Sequence, residues 1–204
     1  MSAKKPVLYK ERPIVRAMLD LLHRLEQNLM GEVVTPIRVI LTGGVAMALY
    51  SPQRSSMEVA AIFSHRILLP EALVVYEDEF GNKKTLAWDR NYSPSIGLLH
   101  PDAEQDAIFF SPSKNGIFSI LVLTPIDLAV SKLSRLASND ELDILELYEQ
   151  GSIDPKDLEP RAMEAIRYYV VDIGQVYNDL TRICERMGHK VTMRLEGPQG
   201  VNGR

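Results

Sequence analysis

The chain has little of what marks several common classes of protein. One cysteine, Cys184, stands alone among 204 residues, which excludes an internal disulfide framework and a thiolate zinc cluster. No apolar run approaches the length of a membrane span. The opening Met-Ser-Ala-Lys-Lys-Pro carries charge with no long apolar stretch behind it, so neither a signal peptide nor a membrane partner is expected and the cytoplasm is the default location. The formal charge is only −4, which argues against holding nucleic acid by bulk electrostatics and leaves room for a local basic patch. The four histidines, His23, His65, His100 and His189, are scattered without metal-ligand spacing. Ser64-His65 has no Gly-x-Ser-x-Gly elbow, so hydrolase readings fall away. There is no internal repeat and no low-complexity block.

What is present is an ordinary globular composition, 46% hydrophobic and 25% charged, in a length that suits one domain. Residues 1–12 are charged and carry Pro6, reading as a loose arm. Ile14, Ala17, Met18, Leu21, Leu22, Leu25 and Leu29 then recur at three- and four-residue steps, an amphipathic helix with Pro13 in its first turn and Gly31 at its end. Val39-Ile40-Leu41 reads as a buried strand that runs into Gly43-Gly44, followed by a short helix from Val45 stopped at Ser51-Pro52. Glu58 to Phe63 is a second strand, preceded by Arg54, Ser55 and Ser56. Ala72 to Tyr76 and Thr85 to Trp88 form a hairpin around Gly81-Asn82, and Asp89 stands just past it. The stretch with Pro94, Pro101 and Pro112 reads as loop interrupted by the apolar Ala107 to Phe110. Ile117 to Leu123 is the most strand-like run.

From Thr124-Pro125 the pattern is helical. One helix carries Leu128, Ala129, Leu133 and Leu136. A second opens at Asn139-Asp140 with Leu142, Ile144, Leu145 and Tyr148 inward and Gly151 closing it. A turn at Pro155 to Leu158 and a long helix from Glu159 to Arg186 follow, with Cys184 on its apolar face, and residues 196–204 read as a disordered tail. The expected fold class is α+β: a mixed sheet with flanking helices over 13–123, and a helical region over 124–190 packed on it.

The glycine pair admits positive φ and lets a ligand approach the backbone, while the helix after it points unpaired N–H groups at the same spot. A plain tight turn explains the pair equally well. Gly43-Gly44, the Arg54-Ser55-Ser56 entry, Glu58-Val59-Ala60, the helix Pro125-Ile126-Asp127-Leu128-Ala129-Val130-Ser131-Lys132-Leu133-Ser134-Arg135 and the start Asp140-Glu141-Leu142-Asp143-Ile144 together resemble the nucleotidyltransferase superfamily. More narrowly they are similar to the small bacterial nucleotidyltransferase-like families related to abortive-infection and toxin–antitoxin enzymes. The resemblance spans roughly residues 35–150.

The resemblance implies transfer of a nucleoside monophosphate from a nucleoside triphosphate to tRNA, a protein or a small acceptor. It implies Gly43 and Gly44 on the phosphates with Arg54, Ser55 and Arg135, and Lys132 as a catalytic cation. It also implies magnesium on two carboxylates one residue apart, since residues i and i+2 of a strand share a face. Glu58 occupies the first of those positions and Ala60 the second, where a methyl group offers no lone pair. Asp89 is the first choice for a third carboxylate and metal ligand, Asp106 the second. Solvated ion pairs with Asp127 or Asp140 explain Lys132 and Arg135 without chemistry, and helix capping explains Asp140 and Asp143. Two readings are open: a magnesium-dependent nucleotidyltransferase impaired at Ala60 unless another carboxylate compensates, or a pseudoenzyme that serves as a nucleotide-binding, antitoxin or interaction module.

Overall fold

The computed structural model describes residues 6–31, 35–93 and 97–195; the expected tail lies outside them, as do the first five residues of the expected arm. Helix α1 (Pro13–Asn28) starts at a proline, which costs nothing there because the first N–H groups have no intrahelical partner. Its apolar stripe from Ile14 to Leu25 is buried. The preceding residues are not a loose arm. Tyr9 N–H donates to the Leu49 carbonyl, Lys10 sits over the Phe110 ring at 5.1 Å, and Arg12 is tied to four groups described below.

The strands are β1 (Ile37–Thr42), β2 (Glu58–Phe63), β3 (Leu73–Glu77), β4 (Lys83–Trp88), β5 (Ile108–Pro112) and β6 (Phe118–Val122), in the sheet order β3-β4-β2-β1-β6-β5. The sheet is mixed: β1 runs antiparallel to β2 with Thr42 opposite Ala60, and parallel to β6 with Ile37 opposite Phe118. β1 is central and all but one of its residues are buried, which its uninterrupted Val-Ile-Leu character requires. Phe63 packs against Trp88 and Phe118 with ring centroids 6.0 and 6.5 Å apart. The apolar run that interrupts the expected loop is strand β5, which extends to Pro112, a residue read as loop and tolerated because β5 lies at the sheet edge.

Helix α2 (Gly43–Tyr50) is buried from Val45 onward and includes both glycines in its first turn. It lies on β1 and β2, while α1 lies over β3 and β4. After β6 the chain is helical, as the sequence pattern anticipates: α4 (Pro125–Leu133), α5 (Ser138–Glu149), α6 (Pro155–Arg167) and α7 (Ile173–Arg186), with a four-residue helix α3 (Ala103–Asp106) earlier. Thr124 caps α4 by accepting from the Asp127 N–H. Three details differ from the sequence reading, the first being that the expected turn at Pro155 to Leu158 is the opening turn of α6, capped by Asp154. Leu142 and Tyr148 face outward, leaving Ile144 and Leu147 to fill the core side of α5. The expected long helix is broken at 168–172, where Asp172 accepts from the Gln175 N–H and starts α7 afresh.

Candidate functional site

The end of β1, the start of β2 and the end of β4 meet α2, α4 and α5 around a pocket of about 420 Å3. Its lining includes Gly43, Gly44, Arg54, Ser56, Glu58, Ala60, Asp89, Lys132, Arg135 and Asp140. Seven of the eight site residues expected from the sequence are therefore in one place; Ser55 is exposed outside it. Ser56 takes its place. The Ser56 hydroxyl donates to the Glu58 carbonyl at 2.8 Å and accepts from the Glu58 N–H at 3.2 Å, fixing the entry to β2.

The glycines have local reasons to be glycine. Gly43 has φ +62, and a Cβ there would stand 3.3 Å from the Ala60 methyl. At Gly44 a Cβ would stand 2.7 Å from the Ser56 hydroxyl oxygen. The α2 N-terminus has no acidic residue in its first turn and its cap residue, Thr42, makes no side-chain capping bond. The first N–H groups of α2 thus have neither a capping side chain nor a neighbouring carboxylate on their own helix, a setting that favours an anion. Thr42 instead bonds Tyr92, whose phenol is pushed up to about 12 by burial, with that bond opposing and Asp89 adding to the rise.

The cations in the pocket are held by a buried network. Lys132 Nζ lies 3.1 Å from Asp140 Oδ1 and 2.7 Å from Asp143 Oδ2. Arg135 grips Asp140 with Nε at 2.8 Å and Nη2 at 3.0 Å. Arg54 Nε makes an ion-pair contact with Asp143 Oδ1 at 2.8 Å. Burial works against the Asp140 carboxylate, but its bonds to Arg135 and the charge of Lys132 outweigh that and hold it below the usual carboxylate range. Asp140 also accepts from the Ala137 N–H, so the helix-start role read from the sequence is real but secondary. Asp127 does not join these cations; it is clasped by Arg161 at 2.8 and 2.9 Å.

Arg12, which the sequence reading passed over, positions the loop that carries Arg54 and Ser56. One guanidinium nitrogen donates to the carbonyls of Ala48, Ser51 and Arg54 at 3.1, 2.7 and 2.8 Å, and Nε pairs with Glu79 at 2.7 Å. A cation at those carbonyls also suits the negative end of α2.

Asp89 lines the pocket, and Oδ1 of its carboxylate accepts from the N–H groups of Asn91 and Tyr92, both at 3.0 Å. Its N–H bonds Val59 in β2, which sets it beside Ala60. Asp106 is elsewhere: it pairs with Arg161 at 2.7 Å in a separate cavity of about 530 Å3. Among the described residues no three His, Cys, Asp or Glu side chains cluster closely enough to hold a metal ion. Glu58 and Asp89 both line the pocket; magnesium is held by one or two carboxylates together with phosphate oxygens, and Ala60 adds no donor beside them. A further cavity of about 850 Å3 is lined by Leu29, Ile37, His65, Arg66 and Arg90 among others. It brings together none of the expected residues, and the Arg90–Glu71 pair at its edge is solvent-exposed.

The class this defines is an α+β protein with a polar, glycine-floored cleft at one end of a mixed sheet. No family model, no curated protein and no solved structure matches the chain. Among the described residues no helix is long and apolar enough to cross a membrane.

Proposed function

We propose that the cleft binds a nucleoside triphosphate and that nucleotidyl transfer from it to an RNA, protein or small acceptor is weak or absent. The observation that carries this reading is the convergence of the uncapped α2 N-terminus with Ser56, Lys132 and Arg135 around one pocket of about 420 Å3, a volume within the usual range of small-molecule sites. Three cations face two carboxylates in the network, and Glu58 and Asp89 stand at the other end of the pocket. The Arg135 side chain is 76% exposed, so it can turn to a phosphate while Asp140 keeps Lys132.

Transfer would need an acceptor oxygen to attack the α-phosphorus while the bond to the bridging oxygen breaks and pyrophosphate leaves. The acceptor proton would pass to Glu58 or Asp89, the carboxylates of the β2–β4 end of the pocket. What is missing is a group to offset the charge that builds on the phosphoryl oxygens: Ala60 offers none and Lys132 is engaged by two aspartates. The second reading, a nucleotide-binding or antitoxin-type interaction module without chemistry, is favoured by the methyl group of Ala60, which lines the pocket and offers no oxygen donor. The test is incubation with each labelled nucleoside triphosphate, with and without total tRNA, in parallel with calorimetric binding. Binding without label transfer is expected. Robust transfer by the chain as it stands would overturn the impaired-enzyme reading, and absence of binding would overturn the nucleotide reading.

A further inference from the structure

The two ends of β2 lead to different cavities. Glu58 at its start lines the cleft, and the connection 65–71 that leaves its other end lines the cavity of about 850 Å3, which shares no lining residue with the cleft. One wall of that cavity, Leu29 at the end of α1 and Ile37 at the start of β1 among it, is uncharged. α1 ends there with no basic residue in its last turn, so its last carbonyls make that side slightly negative. The other wall, residues 65–71 with Arg90, carries all the charge. It is pinned at its start, where the Ser64 N–H donates to the Arg38 carbonyl and the Arg38 N–H to the Ser64 hydroxyl, both at 3.0 Å. Arg90 is taken up by Glu71 at 2.5 Å. Arg66 has no ion pair or hydrogen bond among the described residues. His65 Nδ1 is engaged by the Ser64 hydroxyl at 3.0 Å, which leaves Nε2 without a partner among the described residues. Beyond these cations Ile67 and Leu69 pack on the core, and Leu68 is 91% exposed.

We propose that this cavity binds an aliphatic monocarboxylate, a ligand separate from the nucleotide of the cleft. Charge sets the head group. With Glu71 spent on Arg90, one guanidinium is left over, and its fork matches the two oxygens of a single carboxylate. A phosphate monoester carries about two charges at neutral pH and fits that balance less well. With Nδ1 accepting from Ser64, a neutral His65 keeps its proton on Nε2 and adds a second donor to the same head. The lining holds no Phe, Tyr or Trp on which a ring could stack, and its apolar side chains are aliphatic, which selects a chain. The same charge pattern fixes the direction: the head lies on Arg66, and the chain runs toward Leu29 and Ile37, the side that the α1 carbonyls close to an anion. The volume falls within the range of small-molecule sites, and a chain laid against Ile67, Leu68 and Leu69 removes apolar surface from water.

The test titrates decanoate, 1-decanol and decyl phosphate into the full chain by calorimetry, below the concentrations at which they aggregate. Decanoate is expected to bind at one site with Kd of about 1–100 μM, and the alcohol and the phosphate about tenfold or more weaker. Arg66→Gln, a change to an exposed side chain, should weaken decanoate by about tenfold and leave the alcohol unchanged. Lys132→Met, a change in the cleft, should leave decanoate unchanged whether or not the cleft takes a nucleotide. No saturable binding of decanoate would overturn the proposal. So would an Arg66→Gln chain that binds decanoate as tightly as the parent, or decyl phosphate binding more tightly than decanoate. A loss in Lys132→Met equal to that in Arg66→Gln would place the carboxylate in the cleft and overturn it as well.

Discussion

Removing Asp143 perturbs the network at its most connected point. An Asp143→Ala variant deletes the 2.7 Å contact to Lys132 and the 2.8 Å contact to Arg54. Breaking a buried ion pair by removing one partner costs about 3–5 kcal/mol. Here Lys132, 5% exposed, keeps Asp140 at 3.1 Å, and Arg54 is 26% exposed and partly hydrated, so the loss should fall to about 2–3 kcal/mol. Lys132→Met behaves differently. It leaves Asp140 with Arg135 and Asp143 with Arg54, so no charge is stranded and the cost should be about 0–1 kcal/mol. Urea unfolding followed by circular dichroism separates the two: Asp143→Ala should lower the midpoint by about 1 M at an unchanged slope, and Lys132→Met should barely move it. The double variant should cost less than the sum, since the lysine that Asp143→Ala strands is gone. If Lys132→Met is the more damaging change, or if Asp143→Ala lies within about 0.5 kcal/mol of the parent, the network does not hold the site as described.

Gly44→Ala should destabilise by about 1–3 kcal/mol, because its Cβ would meet the Ser56 hydroxyl at 2.7 Å; adding Ser56→Gly should restore much of the loss in the same unfolding assay. Arg12→Ala should free the 51–56 loop from three carbonyl contacts, seen as faster hydrogen exchange at Ser51 to Ser56 with the exchange of β6 unchanged. Acid should unfold the protein through carboxylates held below their ordinary range. For Asp140, Glu26 and Glu159 burial opposes the shift, and bonds from Arg135, from Ser113 and the Ile117 and Asn115 N–H groups, and from Met193 N–H and His189 respectively outweigh it. Groups shifted this way add stability that is full above the unfolded value of about 4 and fades as pH falls through the folded value. Thermal midpoints should therefore be flat near neutrality and drop below about pH 4.5; a midpoint that rises on acidification would contradict these assignments.

Much of the fold was legible because burial leaves a period in the sequence. Glu58–Phe63 and the Thr124-Pro125 helix start are readable from a short apolar run and from capping chemistry. The break between α6 and α7 was also written there and missed. Tyr168, Val170 and Val171 prolong an apolar run, yet they are exposed, and Asp172 followed by Gln175 is the local signature of a helix start. Leu142 was misplaced because Asp140 and Asp143 take the inner face of α5. Sequence periodicity assigns charged residues outward and has no means of knowing that a buried lysine waits opposite. The matching three-residue spacings of Lys132 with Arg135 and Asp140 with Asp143 were the one available hint. Arg12 left no signal, since its partners are backbone carbonyls of another segment. Asp106, the second choice for a third carboxylate, carries no local signal either way, and the fold spends it on Arg161.

The central claim is that the glycine-floored cleft holds a nucleotide. Calorimetric titration of ATP, GTP, CTP and UTP into the full chain, alongside Lys132→Met, tests it directly. The account predicts saturable binding of at least one of the four with Kd of about 1 μM to 1 mM in the parent, weakened about tenfold or more in Lys132→Met while its unfolding midpoint holds. No heat with any of the four, or equal affinity in parent and variant, would contradict it.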